Sequence, residues 1–428
     1  MMESLTLCGV GPGPALGPLS FGERVNLITG DNGLGKSFIL DVAWWAMTGS
    51  WTKSPAWPRP ESSPTAPPSI KARVRGKSGL VDLDGSYNFA SGHWSTGPGR
   101  PPMPGLVLYF RVDGRFSLWD PAQHYWRRNS SKGIDDPLRP SALHLTLDEA
   151  WNSVLSSDGK TICRGLIEDW VTWQQTNSNE FDALKRVLDL LSPNGPEKLM
   201  PGLPTQVWLD DRRLHPTLAL PYGNVPVTLA SAGMQRVLML AYLLVWAWEG
   251  HVRASTLLRQ DPEHRIVVLF DEPETHLHPR WQRTVLPSLI AAIGALQKGL
   301  ALQVLVSTHS PLVLSSMEPI FDKENDQLFE LAIDEQTNLV GINAPPWANR
   351  GDVVAWLVSD TFGLQQARSV PAEEAIEAAE RFMRGEADKN PQHLSTKEQI
   401  HAELGRVLGD LDPFWPRWVV STEKGIAP

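Results

Sequence analysis

Cysteine is scarce in this chain: Cys8 and Cys163 are the only two among 428 residues, far apart and with no metal-ligand spacing around either. That excludes a disulfide scaffold, so two ordinary reduced thiols and a cytoplasmic home are the expectation. Long apolar runs are missing too. None reaches the roughly 18 residues of a membrane span, and the N-terminus lacks a charged start followed by an apolar core. A protein neither membrane-inserted nor exported is therefore expected. Positive charge is in deficit, with 39 Lys and Arg against 48 Asp and Glu and a formal net charge of −9. No global field draws the chain to nucleic acid or to an anionic membrane, so any DNA contact needs a local patch. Sustained heptads are also absent, which rules out long coiled-coil arms.

Tryptophan is abundant instead: 18 residues are spread from Trp44 to Trp418. Their large apolar area reads as core and interface packing rather than a platform for stacking bases. Apolar residues at 42% and charged residues at 20% place the chain among globular proteins. Its length allows one large domain with insertions, or two to three modest ones.

Apolar strands alternating with helices argue an α/β core with a parallel sheet. Val25 to Ile28 is a short strand entering a glycine-rich turn, and FILDVAWWAMTG continues with helical periodicity to Gly49. Residues 51–144 read as an insertion of loops and short strands, rich in Pro, Ser and Gly to about 105, with LVLYFRV (Leu106 to Val112) as a strand behind it. Residues 145–200 predict a helical lobe opening behind the capping Thr146, and the helical signal at 226–250 ends at Gly250. IVVLF (Ile266 to Phe270) and LQVLVS (Leu302 to Ser307) read as buried strands. Residues 1–50 and 201–345 then form the core lobe, and 346–428 a helical C-terminal region.

Gly30, Asp31, Asn32, Gly33, Leu34, Gly35, Lys36 and Ser37 match the phosphate-loop pattern G-x-x-x-x-G-K-[ST], with a strand before it and a helix after. Glycines let backbone N–H groups turn toward phosphate oxygens, Lys36 neutralises the outer phosphates, and Ser37 is placed to ligate Mg²⁺. Ile266 to Phe270 deliver Asp271 and Glu272 to a strand's C-terminal end, where ligands of open parallel sheets sit. Asp271 is expected in the metal shell, and Glu272 beside the attacking water. A carboxylate pair that merely caps a turn is the duller alternative, which five preceding apolar residues disfavour. His309 follows its own strand to the same sheet edge, in reach of a γ-phosphate, although a lone histidine there is more often structural. His276 and His278 stand two apart, a spacing that cannot face one zinc on a helix.

Four segments, GDNGLGKS, LASAGMQR (Leu229 to Arg236), VVLFDEPETHLHP (Val267 to Pro279) and VSTHSP (Val306 to Pro311), resemble in order the motifs of ABC-type ATPases. More narrowly, they resemble the branch holding the OLD, Septu and retron-associated ATPases of bacterial antiphage defence, over about residues 1–345. The resemblance implies a P-loop NTPase of ABC type, with a mixed or parallel sheet, a helical lobe and a C-terminal helical tail. It implies ATP and Mg²⁺ as cofactors, and a homodimer or higher homo-oligomer. In such a dimer Ser231 and Gly233 of one subunit close over the γ-phosphate held by Gly30, Asn32, Gly33, Gly35, Lys36 and Ser37 of the other. The signature departs from the family at Ala232, which stands where a glycine is usual and predicts looser backbone approach. For the glutamine loop, Gln123, Gln174 and Gln175 compete.

About 120 residues follow His309, and no Asp-x-Asp pair is expected among them, so the Toprim nuclease domain of some OLD relatives is not expected either. The implied partner is a separate effector, an HNH-type nuclease or a toxin, with no membrane partner. A RecF-like repair or DNA-end-binding ATPase is the alternative, with Lys71 to Lys77 and Arg212 to Arg213 as its candidate basic clusters.

Overall fold

The computed structural model describes residues 1–62, 65–96, 102–125, 138–193, 195 and 198–423. Of the loop-rich stretches expected from sequence, positions 63–64 and 97–101 lie outside the described residues. The chain divides into two units, Met1–Gly351 and Asp352–Pro428.

In the first unit, β1 (Met2–Cys8), β2 (Ala15–Ser20) and β3 (Val25–Gly30) lead into α1 (Lys36–Thr48). Strands β4 (Ser69–Gly76), β5 (Gly79–Asn88), β6 (His93–Ser95), β7 (Leu106–Phe110), β8 (Phe116–Trp119) and β9 (Leu143–Leu145) follow. Next come α2 (Leu147–Trp151), the pair β10 (Val154–Leu155) and β11 (Thr161–Cys163), and the lobe helices α3 (Gly165–Thr176) and α4 (Asn179–Leu191). A second pair, β12 (Thr205–Gln206) and β13 (Leu214–His215), and the hairpin β14 (Thr217–Leu220) and β15 (Gly223–Pro226) precede α5 (Ala232–Leu257). The unit closes with β16 (Arg265–Asp271), α6 (Pro279–Gln282), α7 (Val285–Gly294), β17 (Ala301–Ser307), α8 (Pro311–Met317), β18 (Gln327–Ile333) and β19 (Val340–Asn343).

Eight strands form the central sheet in the order β19-β18-β3-β17-β16-β7-β8-β9. The run from β18 to β7 is parallel, and the outer strands pair antiparallel, so the sheet is mixed around a parallel middle. Every residue of β3 and β7 is buried, as strands covered on both faces require. A second, antiparallel sheet runs β2-β1-β4-β5-β6, and α1 packs against strands of both sheets. This explains the adjacent Trp44 and Trp45 of α1: both are buried in one cluster with Leu5, Leu7 and Ile70 from one sheet and Val107 and Leu269 from the other.

The stretch 51–105, expected to be dominated by loops, holds β4, β5 and β6 of the second sheet, and the strands β7, β8 and β9 behind it join the central one, where β7 lies directly beside β16. Along β4 the alternation is plain: Ile70, Ala72, Val74 and Gly76 are buried while Lys71, Arg73 and Arg75 face out. Nor does the long helix end at Gly250. It runs on to Leu257 because His251 and Ser255 are buried, and His251 is anchored by Nδ1 to Asp120 at 2.7 Å and by Nε2, which accepts from the Glu263 N–H at 2.8 Å. Tertiary partners here outweigh the helix cost of one glycine, about 1 kcal/mol.

The second unit contains α9 (Val353–Leu357), α10 (Val370–Met383), α11 (Lys397–Val407) and α12 (Phe414–Glu423), the last three packed around Ala375, Ile376, Ala379, Ile400, Leu404 and Trp418. One Asp-x-Asp does occur after His309, Asp410-Leu411-Asp412, but it lies in the turn between α11 and α12. Asp412 there accepts from the Phe414 N–H at 2.8 Å and pairs with Arg368 at 2.9 Å, a capping role. No helix among the described residues is long and apolar enough to cross a membrane.

Candidate functional site

The site forms where β3, β16 and β17, neighbours in the parallel middle of the sheet, end together. After β3 the chain folds into the glycine loop and enters α1 with no side-chain cap and no acidic residue in the first turn, leaving those N–H groups for another acceptor. Two glycines are required by space. A Cβ at Gly30 would stand 2.3 Å from the Leu331 carbonyl oxygen, and one at Gly35 would stand 2.6 Å from Pro12, both at positive φ. Lys36 is buried, and its Nζ donates to the carbonyls of Gly30 at 2.8 Å and Asp31 at 2.9 Å. Burial lowers its pKa, while Glu272, Glu274 and Asp271 pull it back up. Among the described residues the loop is held closed around a cation bonded only to neutral carbonyls, which a phosphate oxygen would replace with a charge-assisted bond.

Asp271, at the end of β16, lies opposite Ser307 in the register with β17. Its Oδ1 accepts from Ser37 Oγ at 2.8 Å and from Ser307 Oγ at 2.5 Å. The two expected metal ligands are thus brought together. One hydroxyl and one carboxylate are too few for an all-protein cage but suit magnesium, which keeps water and phosphate oxygens in its shell.

Glu272 leaves the strand at φ +49, a left-handed conformation costing about 1–2 kcal/mol for a residue with a side chain. The turn is held by its N–H, which donates to the Ser307 carbonyl at 3.0 Å and Ser307 Oγ at 3.1 Å, and by Arg236, whose Nη2 donates to the Glu272 carbonyl at 3.0 Å. His309 sits just past β17 with Nδ1 3.5 Å from Glu272 Oε1 and 3.7 Å from Glu274 Oε1. Glu272 and His309 are therefore neighbours at one sheet edge.

Sequence reasoning missed Glu274. It is buried, and its Oε1 accepts from Thr308 Oγ1 at 2.8 Å and the His309 N–H at 2.9 Å, tying the histidine's backbone to the turn that carries Glu272. Burial raises its pKa, against the hydrogen bonds it accepts. A carboxylate directly after a proline, three residues past Asp271, was the available signal. Arg236 was missed as well, although it opens the apolar run VLMLAYLLVWAW as the only cation near it.

Ser231 caps α5, its Oγ accepting from the Met234 N–H at 3.3 Å. Gly233 follows, where a Cβ would stand 2.9 Å from the His276 carbonyl oxygen. Among the described residues no hydrogen bond joins Ser231 or Gly233 to Gly30–Ser37 of the same chain. Two of the candidate glutamines are engaged elsewhere: Gln123 donates to Asp120 at 3.1 Å and Gln174 to the Gly202 carbonyl at 2.9 Å. Directly after β7 stands Arg111, paired with Asp41 of α1 at 3.4 Å. Four residues of the basic clusters carry ion pairs. Lys71 faces Asp84 at 3.9 Å, Arg73 pairs with Asp82 at 2.6 Å, Arg75 with Glu3, and Arg213 with Asp211 at 2.8 Å.

A glycine loop between a central strand and a helix, with Asp271 and Glu272 at the end of a parallel strand two places along the sheet, gives this α/β fold the layout of a P-loop nucleotide-binding site. Comparison with known proteins agrees with the resemblance carried by the motifs. Residues 220–315 match a family described as "AAA domain, putative AbiEii toxin, Type IV TA system". The chain is 22% identical over 245 residues to the Retron Ec83 probable ATPase of Escherichia coli, a match spanning 56% of this chain and 39% of that protein. It is 21% identical to the Septu protein PtuA of Bacillus thuringiensis over 95% of this chain and 99% of that one. Among solved structures, the SMC head domain from Thermotoga maritima is similar with a TM-score of 0.40 at 15% identity, covering 80% of this chain and 98% of that one.

Proposed function

We propose that this chain binds and hydrolyses ATP as the regulatory subunit of an antiphage defence system, holding a separate effector nuclease of HNH type under nucleotide control. The observation that carries the hydrolytic part is the meeting of Ser37, Asp271, Glu272 and His309 at one sheet edge. The backbone of Gly30–Ser37 cradles the phosphates, and Lys36 exchanges its two carbonyl partners for phosphate oxygens. Charge on those oxygens would be further offset by magnesium held at Ser37 and Asp271. Glu272 orients the attacking water and accepts its proton, and His309 steadies the Glu272 carboxylate from 3.5 Å.

Ser231 and Gly233, which make no bond to their own phosphate loop, complete the site of a second copy in a homodimer. Ala232 makes that closure slower than a glycine would. The defence role rests on the similarity to the retron and Septu proteins. The ion pairs of Lys71, Arg73, Arg75 and Arg213 weigh against a DNA-clamping role.

The test is co-purification with the product of the adjacent gene, followed by ATP turnover and DNA cleavage for the parent and Glu272→Gln. The variant should bind ATP but turn it over about 100-fold more slowly or worse. Turnover at the parental rate would remove Glu272 from the mechanism, and a parent that ignores ATP would end the proposal.

A further inference from the structure

Away from the phosphate loop, the first unit contains a cavity of about 320 Å³ walled by Phe110, Trp151, Met239, Leu240, Leu243 and Phe270. These residues come from β7, α2, α5 and β16, so the cavity lies against the strand that ends in Asp271. A concave, mostly apolar space with a few polar groups has the character of a small-molecule site.

The group that sets it apart is Arg236, which lines it. Among the described residues the guanidinium donates only to backbone carbonyls, Val112 at 3.1 Å, Asp271 at 3.4 Å and Glu272 at 3.0 Å, and its buried Nε has no hydrogen-bond partner. Burial lowers its pKa, and Glu274, Asp271, Glu272 and Asp113 oppose this through space. A cation removed from water without a direct anionic partner is costly, and this one borders an open cavity. Asp113, the carboxylate that lines the cavity, is already engaged by Arg115 at 3.3 Å, Lys53 at 3.6 Å and Arg111 at 3.7 Å. The polar side of the cavity is therefore short of negative charge.

We propose that this cavity binds a small amphipathic anion, an aromatic or short acyl body with one carboxylate, sulfonate or phosphate head that pairs with Arg236. Occupancy reaches the nucleotide site directly, because the guanidinium that takes the head group also holds the Asp271 and Glu272 carbonyls. The ligand thus biases the position of the Glu272 turn.

The probes are 8-anilinonaphthalene-1-sulfonate and its uncharged counterpart N-phenyl-1-naphthylamine, titrated by fluorescence into the full chain without nucleotide. Leu147, half exposed among the lining residues at the start of α2, provides the variants Leu147→Glu and Leu147→Lys, with melting curves to establish that both fold. The sulfonate should bind at a single site, about tenfold more weakly in Leu147→Glu and no more weakly in Leu147→Lys. The neutral probe should bind more weakly than the sulfonate and respond to neither change. Equal sulfonate affinity in the two variants, or a neutral probe bound as tightly as the charged one, overturns the site. Saturating sulfonate should also change the rate of ATP turnover in the parent and in Leu147→Lys, and an unchanged rate overturns the coupling. Binding is read without nucleotide, so a chain that takes the probe but never hydrolyses ATP sinks the hydrolytic proposal and leaves this one standing.

Discussion

Lys36 gives the sharpest prediction at the scale of single residues. Among the described residues its amine bonds only the Gly30 and Asp31 carbonyls, so Lys36→Ala should leave the fold intact while weakening ATP binding at least about 100-fold. Equilibrium dialysis with labelled nucleotide reads this, and an affinity equal to the parent's would dismantle the phosphate-loop assignment. Lys36, Ser37, Asp271 and Glu272 were all legible in the sequence because local chemistry fixes them: a cradle needs its glycines and lysine at set spacing, and a buried strand needs an apolar run before its acids. Glu274 and Arg236 were not. Their roles depend on partners 34 and 36 residues away, Thr308 and Glu272, and spacing within one segment says nothing about them.

Among the elements, the turn after β8 is the one with an acid-sensitive lock. The Asp120 N–H donates to Nδ1 of His124 at 2.8 Å, which requires that nitrogen to be unprotonated. Burial pushes the His124 pKa down from 6.5 to about 4, with Asp120 opposing and His144 adding to the shift. The folded state therefore prefers neutral His124. The stability this provides is complete above pH 6.5 and is lost as pH falls from there through about 4. Urea midpoints across that window should fall more steeply for the parent than for His124→Gln, which keeps an acceptor and cannot titrate; parallel slopes would dismiss the lock. Element types were read well where periodicity is strong, in β3, β16, β17 and α5. The strands β4 to β6 were obscured by Pro- and Ser-rich flanks, although Ile70, Ala72 and Val74 alternate along β4. Their placement rests on pairings such as β7 with β16, which join segments some 160 residues apart and leave no local trace.

For the whole molecule, the proposed homodimer makes its own demand. Glu272→Gln with ATP and magnesium should sediment as a dimer and the nucleotide-free chain as a monomer. Ser231→Arg, at an exposed position outside its own phosphate loop, should abolish the dimer yet keep nucleotide binding. A Ser231→Arg chain that still dimerised with ATP would refute closure through that patch. One last consequence follows from Asp271, whose Oδ1 is bonded by Ser37 from the loop and Ser307 from the next strand. These hydroxyls hold the carboxylate in place from the protein's own resources, so the proposed ion would serve turnover and not shape. Chelation should halt hydrolysis while the melting temperature stays where it was, and returning magnesium should restore activity at once, with no refolding delay.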